Sequence, residues 1–320
     1  MKKQRICKTL CLSLIIVLIV LLLSSCLFTN ELEEYFLSWV PEKDENIAIV
    51  LDKNRVIIGE KTIDVADALS RYYYSVPNFD YEDSCKLDQI LLVKDNKIYG
   101  SKSYSLSKEN AYRFGIDIYA IDINNTDIIE KIYSGEHFSK SEENRYEYVS
   151  RNEKTYYSNG DIVIYDGFDY TIINVDTKEV RKVSPCEYEP TNCKYDIKWV
   201  ENGYEIMYGT DRREITFEYL AERNEYLASL KTLQNEYHYR NISPLEHFWH
   251  NKYVFGDTIY FVLDVLEPDG ESNALLVSYN VTTDSVAFLY HYYTADIPSC
   301  HIYPIPRQNN TGDGGLSLLR

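Results

Sequence analysis

The sequence predicts an all-β body, and three observations carry that prediction. A hairpin phrase recurs, a turn-plus-strand phrase recurs between its copies, and tyrosine is far in excess. The hairpin phrase is an apolar–polar alternation broken by a four-residue polar turn, at "IDINNTDIIEKI" (121–132), "INVDTKEVRKV" (173–183) and "YNVTTDSVAFL" (279–289). Period-two alternation is the signature of a half-buried strand. The second phrase, at "DNKIYG" (95–100), "NGDIVIY" (159–165), "NGYEIMY" (202–208) and "GDTIYF" (256–261), places Asn, Asp and Gly at a turn before an apolar run. The 31 tyrosines stand against 11 Phe and 3 Trp. Tyrosine suits a pleated face, where the ring packs and the hydroxyl stays wet.

The copies keep a period. With Ile123, Val175 and Val281 as anchors, the turns are Asn124–Asp127, Asp176–Glu179 and Thr282–Ser285, and Ile128, Val180 and Val286 restart the alternation. The anchors are separated by 52 and 106 residues, so a further copy is expected near residues 220–228. There "FEYLAERNEYLASL" (217–230) fits the template with its turn at Glu222–Glu225 and its restart at Tyr226. It reads equally as a helix, since Leu220, Leu227 and Leu230 share a helical face. A weaker copy, "IVLDKNRVII" (49–58), falls off the period, 72 residues before Ile123.

Units of about 40–55 residues, each worth roughly four short strands, resemble β-propeller blades. The resemblance covers residues 46–306 and makes the hairpin phrase the outer hairpin of a blade. Its motifs are generic. The chain has no Trp-Asp dipeptide, no blade-terminal Gly-His and no paired kelch glycines, so no named propeller family is identified. A β-sandwich or two small β-domains is the alternative architecture.

The amino terminus has a separate logic. "MKKQRICKTLCLSLIIVLIVLLLSSC" has a basic start, an apolar core and then small residues. Its basic end stays cytoplasmic while the apolar stretch enters the bilayer. Leu23-Ser24-Ser25-Cys26 resembles the lipobox of bacterial lipoproteins, in which the cysteine carries a thioether-linked diacylglycerol and cleavage occurs before it. That resemblance implies a signal peptide over 1–25, lipidation of Cys26 and an extracytoplasmic location at the membrane. Thr9–Phe28 is also long enough to serve as an uncleaved anchor. Residues 26–45 then read as an acidic tether with Tyr35, Phe36 and Trp39 clustered in it, and 307–320 as a flexible tail of Asn, Gly and Asp.

Charge excludes one class of partner. The chain carries a net −17, and loss of residues 1–25 leaves 29 basic against 50 acidic groups, a net of −21. Such a chain repels phosphate backbones, so no nucleic-acid partner is expected.

Seven cysteines are present, and without Cys7, Cys11 and Cys26 four remain: Cys85, Cys186, Cys193 and Cys300. "CEYEPTNC" spans Cys186 to Cys193 in a short proline-containing loop that brings its ends together for a disulfide; four unpaired thiols are the other reading. No Cys-x-x-Cys spacing supports a zinc or thioredoxin-type site. No cofactor or metal is expected.

Other constellations are weaker. On a helix His247 and His250 in "EHFWH" could face one metal, but the stretch reads as entering a strand, where residues three apart point to opposite faces. The clusters "RYYYS" (71–75) and "YHYYT" (290–294) offer rings for a sugar or peptide groove, although strand geometry sends half of each to the core. A glycan-cleaving enzyme needs two opposed acids. Carboxylate neighbours such as Glu82 with Asp83, and Asp117 with Asp122, are what chance supplies throughout a chain with 50 acidic residues. No Gly-x-Ser-x-Gly, P-loop or dinucleotide fingerprint occurs. The expected function is a membrane-anchored binding or scaffolding module for an unidentified protein or glycan ligand. The alternative is an extracytoplasmic hydrolase or lyase acting on glycan or peptide. A solute receptor is third, lacking the alternating strand and helix pattern it requires.

Overall fold

A computed structural model describes residues 40–52, 54–74, 86–105, 113–138, 155–158, 160–166, 168–187, 194–200, 203–237, 241–244, 254–266, 272–294 and 302–308. The described body is mostly β, a propeller-like repeat of small antiparallel sheets within the unit Lys43–Arg320.

The first sheet joins both ends of this body. Strands β1 (Ile47–Leu51), β2 (Arg55–Ile58) and β3 (Lys61–Asp64) form a meander, and β20 (Ile302–Gln308) pairs antiparallel with β1 through five residues. On its other side β20 meets β4 (Gln89–Lys94) in parallel, only at Arg307 opposite Val93 and Gln308 opposite Lys94. The physical reason is proline. The Arg307 amide donates to the Asn46 carbonyl at 2.8 Å, so alternate residues turn the other way, and those positions are Pro304 and Pro306. Neither has an N–H to offer β4. The eight-stranded sheet is therefore two four-stranded units, β3-β2-β1-β20 and β4 with β5 (Lys97–Ser105), β6 (Arg113–Asp122) and β7 (Ile129–Phe138). Strand β20 runs to Gln308, so the folded body extends two residues past the expected boundary at 306.

Two more units follow the same plan. One is β8 (Thr155–Ser158), β9 (Asp161–Tyr165), β10 (Tyr170–Asn174) and β11 (Val180–Val183) in sequential order. The other is β15 (Asn241–Pro244) and β16 (Val254–Phe255), both paired with β17 (Thr258–Leu266), then β18 (Ser272–Asn280) and β19 (Ser285–Thr294). Asp95 and Asn96, at φ 50° and 58°, form the tight β4–β5 turn, as a right-twisted hairpin requires.

The recurring hairpin phrase becomes β6–β7, β10–β11 and β18–β19, the link between third and fourth strands in all three units. Its turn is built the same way each time. The residue before the anchor, Asp122, Asn174 or Asn280, accepts from the amides two and three positions on, at 2.8–3.1 Å. This is the local side-chain-to-backbone bond that makes Asp and Asn turn formers. The off-period phrase at 49–58 has Val50 in that place; it is the β1–β2 hairpin, which links second to third strand counting from β20.

The expected copy at 217–230 is helical. A three-stranded sheet, β12 (Asp196–Val200), β13 (Gly203–Tyr208) and β14 (Asp211–Thr216), is followed not by a fourth strand but by α2 (Phe217–Ala221) and α3 (Glu225–Tyr237). Leu220 stands where an Asx residue would be needed, so nothing closes a β-turn there. Instead Thr216 and Asn224 cap the two helices, accepting from the amides of Tyr219 and Leu227 at 3.2 Å. Another helix, α1 (Val65–Tyr74), lies outside the sequence expectation. Its residues Val65, Ala68, Leu69 and Tyr73 are buried at helical spacing, and Asp64 caps it by accepting from the Asp67 amide.

Three apolar clusters lie between units. Val50, Val56 and Ile305 of the first unit pack with α1 and with Ile90, Ile98 and Tyr119 of the second. Leu92, Ile116 and Ile118 of the second pack on Ile162, Ile164 and Ile173 of the third. Ile47, Leu51 and Ile302 pack on Tyr260, Val262, Leu276 and Leu289 of the last. No described helix is long and apolar enough to cross a membrane.

Candidate functional site

Polar groups concentrate where one sheet unit meets the next. The β6–β7 turn reaches α1, where Arg71 donates to Asp127 at 2.7 Å and to Thr126 at 2.9 Å. The β10–β11 turn reaches the second unit, with Lys94 on Asp176 at 2.5 Å and Lys178 on Glu130. The β18–β19 turn meets β14 and α2: Asp284 accepts from Tyr219 at 2.6 Å and Tyr279 at 2.9 Å, and Arg223 lies 3.1 Å away. Arg223 and the two hydroxyls hold the Asp284 carboxyl well below the usual range. A neighbouring knot joins Lys194 and Tyr195 to Asp257, which also accepts from Thr282 at 2.8 Å and is lowered to about 2, the Lys194 bond contributing most.

A second kind of junction uses the turn between second and third strands. Asp166, in the β9–β10 turn, faces Nδ1 of the wholly buried His137 at the end of β7, and Tyr133 Oη lies 3.1 Å from Nε2. Asp52, in the β1–β2 turn, accepts from Tyr292 near the end of β19 at 2.6 Å and pairs with Arg55. Burial, then the Asp52 bond, pushes the Tyr292 hydroxyl up to about 12. The hydroxyl–imidazole–carboxylate row at His137 resembles a catalytic arrangement only in composition, since its imidazole has no exposed surface for a substrate to reach.

The carboxylates singled out by sequence separate. Asp117 is buried; it accepts from Tyr119 at 3.0 Å and Ser134 at 2.6 Å and pairs with Lys131 at 2.6 Å. Tyr73 of α1 extends the chain by donating to Tyr119 Oη at 2.6 Å. Burial, then the Tyr73 bond, raises the Tyr119 hydroxyl far above its ordinary range. Asp122 caps the β6–β7 turn. Five positions of one strand put the two acids roughly 16 Å apart on opposite faces, beyond the span of a glycosidase pair. Glu82, Asp83, His247 and His250 lie outside the described residues, as do Cys26 and Cys193. Cys186 is exposed, its Sγ 3.1 Å from Ser184 Oγ. Both tyrosine clusters are largely structural: Tyr73 is buried in α1, and Tyr290 and Tyr292 pack on the core that joins the first and last units.

Among the described residues, one shallow open cleft of about 420 Å³ lies between edge strand β3, the start of α1 and the β6–β7 turn. Ile63 and Ile123 contribute its apolar surface, and Lys61, Asp64, Asp67, Asn124 and Thr126 its polar surface. Three of its polar side chains are engaged, Asp64 in capping α1 and Asp67 and Thr126 with Arg71. The cleft can hold a small polar group, but it brings no acid–base couple to one point. Among the described residues, no group of three or more His, Cys, Asp or Glu side chains is placed to hold a metal ion.

No protein-family model and no curated protein matches this chain. Among solved structures, it resembles a chain of the S. cerevisiae complex of Dbp5 with Nup159, Gle1, IP6 and ADP, at 13% identity over 80% of this chain and 69% of that one, with a TM-score of 0.23. It also resembles the N-terminal domain of Nup159, at 12% identity over 81% of this chain and 70% of that one, with a TM-score of 0.22. Scores this low carry no ligand, partner or activity across.

Proposed function

We propose that the chain is a membrane-anchored extracytoplasmic lipoprotein that acts as a binding or scaffolding module for a protein or glycan ligand. One observation supports it most: the described acids that sequence offered for hydrolysis are committed to holding the fold, Asp117 in a buried network and Asp122 in a turn cap. Carboxylates tied up in this way are poor candidates for the opposed, water-accessible pair that glycoside cleavage needs. The lipobox-like Leu23-Ser24-Ser25-Cys26 supplies the anchor in this reading.

Full-length protein in detergent micelles, mixed with isolated cell-wall material and with a panel of chromogenic glycosides and peptides, tests the proposal. Saturable retention on the wall without product release is the expected result. Turnover abolished by replacing a single carboxylate would favour the hydrolase reading instead.

A further inference from the structure

We propose that the outer edge of β11 takes up an acidic, extended peptide segment as a fifth strand of its sheet; this deepens the binding reading by naming the partner's chemistry. Among the described residues, strand β11 pairs with β10 alone. The Asn174 amide donates to the Glu179 carbonyl at 3.0 Å, which fixes the alternation. Arg181 and Val183 therefore turn their backbone groups to β10, and Val180 and Lys182 turn theirs outward. An edge in this state is a template for strand addition.

The fourth strand of the last unit shows the contrast. There Asn224 donates to the Val286 carbonyl of β19 at 3.2 Å, and the Tyr226 ring of α3 lies 4.2 Å from Phe288. Val286 is accordingly buried, while its counterpart Val180 is 44% exposed. The next described element after β11 is strand β12, and the two helices further on, α2 and α3, lead into the last unit, where Asn224 and Tyr226 meet β19.

Charge selects the occupant. Residues 178–183 carry Lys178, Arg181 and Lys182 against Glu179, a basic stretch in a chain of net −17. Lys178 pairs with Glu130 and Arg181 lies 3.6 Å from Asp161, yet the Arg181 side chain stays 61% exposed, and Lys182 has no ion pair among the described residues. Residues 179–182 are exposed throughout. An acidic strand is repelled by most of this surface and attracted here, and the outward amides and carbonyls fix it in register.

The probe is a fluorescein-labelled ten-residue peptide of alternating Glu and Val, titrated by anisotropy against the full-length chain in neutral micelles. Saturable binding is expected, weakened at least tenfold by the double change Arg181→Glu with Lys182→Glu and also by Val180→Pro alone. The proline removes one outward N–H and no charge, so it separates strand addition from plain attraction. An N-methylated version of the peptide makes the same separation without altering the protein, and its failure to bind is expected. Absence of saturable binding overturns the proposal, as does equal binding of the N-methylated peptide or of a Lys-for-Glu peptide. Cell-wall retention that persists in the double variant, with no peptide binding by the native chain, would sink the edge proposal and leave the binding reading intact.

Discussion

Nδ1 of His137 lies 3.6 Å from Oδ2 of Asp166, and these two residues come from different sheets. Tyr292 and Asp52 repeat the relationship between the last unit and the first, at 2.6 Å. In both, a ring near the end of a fourth strand meets an aspartate in the next unit's turn between second and third strands. Asp166 also accepts from the amides of Phe168 at 2.9 Å and Asp169 at 3.0 Å, so it shapes its own turn while meeting the neighbour. Asp166→Ala is expected to lower stability by about 1–2 kcal/mol, because it strips two turn amides of their acceptor and removes the carboxylate that faces a buried imidazole. The urea midpoint should fall with no change in slope. An unchanged midpoint would show that the apolar cluster alone holds these sheets.

Asp117→Ala should cost more, about 3–5 kcal/mol, since it leaves Lys131 and two hydroxyls around a buried site without their anion. Tyr73→Phe removes the outermost hydrogen bond of the chain and should cost about 1 kcal/mol. Thermal melts of the two variants should rank in that order. The reverse ranking would mean that α1, not the carboxylate, organises the network.

Acid should weaken the fold through His291. Burial pushes this imidazole down to about 4 from an ordinary 6.5. Between those values the unfolded chain binds the extra proton, so stability falls as pH drops through the window, by on the order of 3 kcal/mol in all. The loss from Asp257, lowered to about 2, begins only below its ordinary 3.8. Denaturation midpoints of the native chain and His291→Gln, followed from pH 7 to pH 4, should converge as the native chain loses its advantage. Parallel curves would count against a neutral buried imidazole.

Cys186 is exposed and free to meet a partner thiol. A bond to Cys193 would close a short loop and contribute about 2–3 kcal/mol. Mass spectrometry of unreduced protein should then show a linked peptide. Complete alkylation of both thiols without reduction would establish the free form.

Cys26→Ala is expected to abolish incorporation of a fatty-acid probe and to leave an unprocessed precursor. Labelling that survives this change would remove the lipid anchor from the proposed function.

The sequence by itself determined the β class, four hairpins, and the polar turns that three of the units share. Those features rest on neighbours in the chain: alternation sets two faces, and an Asp or Asn before the anchor closes its turn on amides two and three residues away. The same signal separates these three from 217–230, which is helical, and from 49–58, a hairpin at a different place in its unit; there Leu220 and Val50 occupy the Asx place. Helix α1 was also legible, in apolar residues at 65, 68, 69, 72 and 73, but a run of three tyrosines reads equally well as strand. Only the tertiary structure decided that Asp117 would be buried beside Lys131 while Asp122 capped a turn. It alone set His137 against Asp166, placed β20 between β1 and β4 and left the outer edge of β11 without a partner among the described residues. A carboxylate's role depends on what the fold brings within about 3 Å of it and how much water it excludes, and neither quantity is a property of sequence spacing.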